Sequence, residues 1–249
     1  MILFVFEGKK KEPAIFDSLR NLFFKGEESV VVCTYNTDFH SLYKSLIEND
    51  WELFYVLRER LQERGEDTLD GYLASDFSQT YLFFDYDFHN SHISLNEQNR
   101  RLEELLSFFN EETENGKLYI NYPMVESIVY TKQLKDSQFD DYVVSRRDCH
   151  RFKELAANFS FYPDTSFLIV NNNNNVPDEE VRHNWELLKF QHVTKANLLC
   201  NGIKGTMPVH KSSIAQSHIF KAQRKKYVDT KDSVSILNSF PIFVYEYLK

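Results

Sequence analysis

Short apolar runs alternate with amphipathic stretches along the first half of the chain. Ile2–Phe6 is apolar at every position and is cut off by Glu7-Gly8, the pattern of a strand buried on both faces that ends in a turn. Glu12-Pro13 then suits the first turn of a helix, where proline is tolerated and a carboxylate favours the positive end. Ile15, Leu19, Leu22 and Phe23 recur at helical spacing on one buried face, and Gly26 is expected to end that helix. Ser29–Cys33 is β-branched and predicts a second buried strand. Asp38 to about Arg64 reads as helical, with an interruption at Gly65–Asp67.

Tyr81–Phe84 is a third apolar run and stops at Asp85-Tyr86-Asp87. Leu95–Asn110 follows as a helix, with Leu102, Leu105, Leu106 and Phe109 in the i, i+3, i+4, i+7 pattern. Lys117–Ile120 predicts another strand, and Pro123 is expected to open a helix carrying Glu126. Strand and helix thus alternate four times, which argues an α/β fold with a mainly parallel sheet covered by helices. Such sheets place their sites at the carboxyl ends of the strands.

After about Lys132 the character changes. Asp136–Asp148 is polar and reads as a linker or mobile loop. Phe167–Val170 could be a strand, and the asparagine run Asn171–Asn175 a solvated loop. Pro177-Asp178-Glu179-Glu180 starts a strong helix bearing Val181, Trp185, Leu188, Ala196 and Leu199. Ser212 to about Tyr227 reads as helical, and Ile236–Tyr247 closes the chain as an aromatic-rich apolar segment. The expected organisation is a core over residues 1–131 and a mainly helical accessory region over residues 132–249.

Composition narrows the class. With 42% hydrophobic residues, 22 Phe and 14 Tyr among 249, the chain can build a large core, and disorder throughout is excluded. No apolar run approaches the roughly 18 residues of a membrane span. The first residues lack the basic-then-apolar order of a signal peptide, so a cytoplasmic, membrane-free protein is expected. Cys33, Cys149 and Cys200 are too few and too scattered for a zinc site or a disulfide framework. Against 37 acidic residues stand 29 Lys and Arg, a formal charge of −8, so any phosphate contacts must come from local basic patches or from a partner.

The acids fall where such a sheet places its chemistry. Glu7 follows the first strand, and Asp85 and Asp87 follow the third. Residues i and i+2 on an extended segment point the same way, so Asp85 and Asp87 could share one cation while Tyr86 faces away. Carboxylates of this kind suit Mg²⁺ or Mn²⁺. A cation so held can orient water and offset charge on a phosphodiester. The plain alternative is that these acids are loop residues and helix caps.

Phe4-Val5-Phe6-Glu7-Gly8 and Leu82-Phe83-Phe84-Asp85-Tyr86-Asp87 resemble the two acidic elements of the Toprim fold, found in topoisomerases, DnaG-type primases and several nucleases. Glu7-Gly8-Lys9-Lys10-Lys11-Glu12-Pro13 and Asn121-Tyr122-Pro123-Met124-Val125-Glu126 are similar to elements of its RloB-like and AbiLii-like branch. That branch is related to nucleases of the overcoming-lysogenization-defect type. The resemblance covers about the first 130 residues. It implies that Glu7 is a metal ligand or general acid/base, that Asp85 and Asp87 bind metal, and that Glu12 and Glu126 complete the acidic set. Many such nucleases place the Glu12 acid one residue earlier, where this chain has Lys11, which leaves the number of metals open. The implied activity is Mg²⁺- or Mn²⁺-dependent cleavage of DNA or RNA, tRNA included, in antiviral defence. Because the chain has no Gly-x-x-x-x-Gly-Lys-[Ser/Thr] loop, any ATPase would be a separate partner. A homodimer is also consistent with the resemblance.

Other residues have two readings. Lys9, Lys10 and Lys11 could contact phosphates or form a solvated turn. Lys221, Arg224, Lys225 and Lys226 form a candidate nucleic-acid patch, and Arg146-Arg147 a weaker one. His89 could assist proton transfer or be a loop histidine. Two further functions compete with the nuclease. One is a haloacid-dehalogenase-type phosphatase with Asp85 as nucleophile, although His89 stands where that motif has Thr or Val. The other is a non-catalytic interaction module built on the aromatic C-terminal segment.

Overall fold

Ile2–Phe6 forms strand β1, buried at all five positions, as its unbroken apolar run requires. The computed structural model describes residues 1–24, 29–162, 164–170 and 176–247, so Gly26 and Asn171–Asn175 lie outside the described residues. In chain order follow helix α1 (Lys11–Phe23), β2 (Val30–Thr34), α2 (Phe39–Glu48), α3 (Leu53–Glu63), β3 (Gln79–Asp85) and α4 (Leu95–Phe108). Then come β4 (Asn110–Glu111) and β5 (Gly116–Asn121). The sheet order is β2-β1-β3-β5-β4, parallel throughout except for the short hairpin strand β4. The fold is α/β with a mainly parallel sheet flanked by helices.

The helix expected over 38–64 is two helices. Asp38 caps α2 by accepting from the Ser41 N–H at 2.8 Å, and left-handed backbone at Asp50 and Trp51 breaks the run before α3. A larger departure lies after β5. No α-helix opens at Pro123: the Tyr122–Pro123 bond is cis, and only a 3₁₀ turn over Val125–Ile128 follows. The physical reason is a tertiary partner, since Tyr122 and Leu237 exchange both main-chain hydrogen bonds and Asn238 donates to Val125 O and Ser127 Oγ.

Residues 132–247 supply β6 (Val143–Ser145), α5 (Arg146–Cys149), α6 (Phe152–Phe159), α7 (Asp178–Asn201), α8 (Gln216–Gln223), α9 (Asp229–Lys231), β7 (Ser233–Ser235) and α10 (Ser239–Tyr247). Asp136–Asp148 is not a loose linker, because β6 pairs antiparallel with β7. Nor is Phe167–Val170 a strand. It forms a 3₁₀ turn over Ser166–Leu168 whose carbonyl at Leu168 is taken by Ser18 Oγ (2.6 Å) and Trp185 Nε1 (3.1 Å). The helix expected from Ser212 to Tyr227 is a 3₁₀ turn, α8 and a π-helical turn over Arg224–Val228. The long helix α7 matches its sequence pattern, with Val181, Trp185, Leu188, Ala196 and Leu199 buried.

One apolar core runs through both parts of the chain. On one sheet face Phe4, Tyr81, Phe83 and Tyr119 meet Phe16 of α1 and Phe240 and Phe243 of α10. The Phe4–Phe16 centroids are 4.0 Å apart and the Phe83–Phe240 centroids 4.6 Å. The alternate residues Leu3, Val5, Leu82, Phe84, Leu118 and Ile120 face the other way, toward the side on which α2 and α4 pack together. Among the described residues no helix is long and apolar enough to cross a membrane.

Candidate active site

The strand order creates the site. From β1 the chain adds β2 on one side and then β3 on the other, so the carboxyl ends of β1 and β3 flank the point where the order reverses. A crevice forms there because the connections on either side leave in opposite directions. Glu7 and Asp85 stand at those two strand ends.

Glu7 is held from three sides. Its N–H donates to Phe83 O (3.0 Å), its carbonyl accepts from the Asn36 N–H (2.8 Å), and its Oε2 accepts from the Asp85 N–H (2.9 Å). One residue on, the Gly8 N–H donates to Glu12 Oε1 at 3.2 Å, folding the first turn of α1 back over the strand end. A Cβ at Gly8 would lie 2.7 Å from Glu12 Oε2, so the close approach needs glycine. Glu12 is only 5% exposed.

Asp85 Oδ1 accepts from Asn121 Nδ2 at 3.0 Å. The Asn121 amide is oriented by its own oxygen, which accepts from Ser239 N (3.0 Å) and Ser239 Oγ (2.8 Å) at the start of α10. Asp87 does not lie on an extended segment, as the i, i+2 argument supposed. The strand ends at Asp85, and Asp87 has φ 49°, a left-handed conformation fixed as Gln98 Nε2 donates to the carbonyls of Tyr86 (3.0 Å) and Asp87 (2.9 Å). Asp87 nevertheless follows Asp85 by two residues at the same strand end, and its charge helps to raise the Glu7 and Asp85 carboxyls.

Glu126 enters from the 3₁₀ turn and is also 5% exposed. Its Oε1 accepts from Lys11 Nζ at 2.9 Å and lies 3.8 Å from Lys153 Nζ, while its buried Oε2 has no partner among the described residues.

Five carboxylates therefore share one small region, and their protonation reports the crowding. Burial first, then the neighbouring Asp85 and Asp87, hold Glu7 well above the ordinary carboxylate range. Burial, then Glu12 and Asp87, do the same to Asp85. Asp87 is pushed up to about 6, by burial and then by Asp38. Glu12 is raised by burial, with Glu126 adding to it. Like charges this close ionise together only when a cation offsets them. Among the described residues no three of these groups already stand in the close arrangement of a preformed metal site. The donors are all oxygens, and the unpartnered Glu126 Oε2 and the glycine-bounded Glu12 carboxylate suit a hard divalent ion.

The basic residues separate into groups. Lys9 pairs with Glu66 at 3.0 Å, Lys10 is exposed, and Lys11 points into the cluster. Lys221 and Lys225 are exposed on and just after α8. Their neighbours serve the fold: Arg224 pairs with Glu103 (3.4 Å) and Asp229 (3.3 Å), and Lys226 donates to Leu199 O at the end of α7 (2.6 Å). No contact of the carboxylates reaches these four. Arg146 donates to Phe88 O and Asn90 O, both at 3.0 Å, and so pins the loop after Asp87. His89 is exposed at its edge, and partial burial first, then nearby His150, disfavour its charged form.

Sequence reasoning missed Asn121 as the partner of Asp85, Ser239 behind it, and Lys153 beside Glu126. Asn121 lies in a motif the sequence displays; Ser239 and Lys153 carry no local signal. No protein-family model, curated protein or solved structure matches the chain.

Proposed function

We propose that the chain is a metal-dependent nuclease of the Toprim type, with Glu7, Asp85 and Asp87 as the inner acids and Glu12 and Glu126 completing the set. The observation that carries the reading is the convergence of these acids at the switch point of a parallel sheet, where Glu7 and Asp85 have no cationic side chain within hydrogen-bond reach among the described residues. Supporting it is the order of the acidic motifs along the sequence. A bound Mg²⁺ or Mn²⁺ would supply charge neutralisation and an activated water for phosphodiester hydrolysis.

The chain's own residues have separable tasks. Glu7 Oε2, tied to the Asp85 N–H, sets the spacing between the two strand ends. Asn121 fixes one oxygen of Asp85 and leaves the other for a ligand. Lys11 offsets the charge of Glu126 and ties the turn to α1. Glu7, its carboxyl pKa raised by burial and then by the neighbouring Asp85 and Asp87, is the group suited to exchange a proton with water or with a leaving oxygen. A defence role with a partner ATPase, and pairing of two chains, belong to the same proposal through the motif resemblance alone.

The test is direct. The pure protein is incubated with Mg²⁺ or Mn²⁺ and a panel of DNA, mRNA and tRNA, with Asp85→Asn/Asp87→Asn as control. Metal-dependent cleavage lost in the control is the expected result. A phosphoenzyme trapped on Asp85 would replace the reading with a phosphatase. A biological effect that survives the control substitutions would replace it with an interaction module.

A further inference from the structure

A basic rim, most of whose cations are exposed, begins beside Glu126. Residues 146–153, Arg-Arg-Asp-Cys-His-Arg-Phe-Lys, carry four basic residues and one acid in a chain of net charge −8. Arg146 is spent on the loop carbonyls, but Arg147, His150, Arg151 and Lys153 are all exposed. The Arg147 guanidinium has no hydrogen-bond or ion-pair partner among the described residues. Arg151 pairs with Asp148 at 3.0 Å. Lys153 has a side chain 76% exposed and touches the site only at its edge, 3.8 Å from Glu126. Arg147, Asp148, His150 and Arg151 line a shallow cleft of about 450 Å³.

This rim meets the cluster at Glu126, whose Oε1 lies 3.8 Å from Lys153 Nζ. Exposed cations set directly beside buried acids are of little use to stability, because solvent screens them. They are well placed to hold a polyanion whose next unit lies over the acids, since each neutralised phosphate releases condensed counterions.

We infer that Arg147, Arg151 and Lys153 form a track for a nucleic-acid sugar-phosphate backbone leading to the carboxylate cluster. The inference rests on the nuclease reading and narrows its substrate to a polymer, because cations set beside the acids serve a ligand that carries further phosphates beyond the one over the acids. It also assigns the backbone contacts to α5 and α6 in place of the Lys221–Lys226 cluster.

The experiment measures binding of a short fluorescein-labelled oligonucleotide, as DNA and as RNA of one sequence, by anisotropy in EDTA over a range of salt. Wild type is compared with Arg147→Ala/Arg151→Ala/Lys153→Ala, with the charge-keeping Arg147→Lys/Arg151→Lys/Lys153→Arg, and with Lys221→Ala/Lys225→Ala. The alanine triple is expected to bind at least about tenfold more weakly, with a salt slope smaller by about 2–3. The charge-keeping triple and the Lys221/Lys225 variant should bind as wild type does. Wild-type affinity and slope in the alanine triple, or no binding by wild type to either polymer, would overturn the track. Cleavage with Mg²⁺ is scored separately: cleavage that the alanine triple leaves untouched removes the track and keeps the nuclease. Rim-dependent binding by a wild-type chain that neither binds Mn²⁺ nor cleaves removes the nuclease and keeps the track.

Discussion

The Glu7 carboxylate accepts the main-chain N–H of Asp85 at 2.9 Å, which links the carboxyl ends of β1 and β3 through a side chain and not through the strand ladder. Glutamine keeps an acceptor oxygen at that position and removes one charge from a crowded site. We expect Glu7→Gln to fold normally, to melt at or above the wild-type temperature in EDTA, and to lose cleavage with Mg²⁺ by at least about a hundredfold. Full cleavage in that variant would defeat the assignment of Glu7.

Asp87 offers a pH test. Its ordinary value of 3.8 rises to about 6 in the fold. Between those values the folded protein keeps a proton that the unfolded chain has released. Its contribution to stability therefore falls as pH rises through this window, by on the order of 1–3 kcal/mol in the metal-free protein. Asp87→Asn, which tolerates the same left-handed backbone, should gain on wild type in EDTA as pH goes from 4 to 7. Denaturant melts of the pair across that range check it, because groups remote from the cluster cancel in the difference, which leaves Asp87 and its coupling to Glu7 and Asp85. A constant difference would show that Asp87 is not held as described.

Gly8 separates positioning from stability. An added methyl would press on the Glu12 carboxylate, the mobile end of a side chain, so the fold should yield at a cost of about 1 kcal/mol or less. The displaced carboxylate would leave the Gly8 N–H. Gly8→Ala should therefore weaken Mn²⁺ binding by calorimetry more than it lowers the melting temperature; the reverse order would speak against a role for Glu12.

Lys11 and Glu126 make a partly buried pair at 2.9 Å. Lys11→Met leaves a buried carboxylate without its nearest cation and should destabilise by about 1–2 kcal/mol, while adding Glu126→Gln should recover most of that. Additive losses in the double-mutant cycle would mean that the two side chains are not coupled.

The sheet face under α10 predicts a truncation result. Phe243 packs against Phe4, Tyr81, Phe83 and Tyr119, so Phe243→Ala should cost about 3–5 kcal/mol. Residues 1–131 expressed alone should be insoluble or lack cooperative unfolding. A soluble fragment with a sharp melt would show that the first part carries its own core.

Much of this protein was written locally. The runs Ile2–Phe6 and Tyr81–Phe84 specify buried parallel strands because an all-apolar stretch of that length has nowhere else to go. The acids that end those strands were visible for the same reason: a charge marks where burial stops. Helix α7 was legible from its acidic first turn and its periodic apolar positions.

What the sequence could not show depended on partners distant along the chain. Pro123 begins no α-helix because Leu237 and Asn238 take the hydrogen bonds of that segment, and Asp136–Asp148 is ordered because β7 arrives from the far end of the chain. Asp87 turns out of the extended path because Gln98 captures its carbonyl, and Asp85 is oriented through Asn121 by Ser239. Local patterning determined the strands of the parallel sheet and the acids that end two of them. Only tertiary packing, through Gln98 of α4, Asn121 of β5 and Ser239 of α10, decided how those acids face one another, because main-chain groups and amides bind whichever partner the folded chain brings within reach.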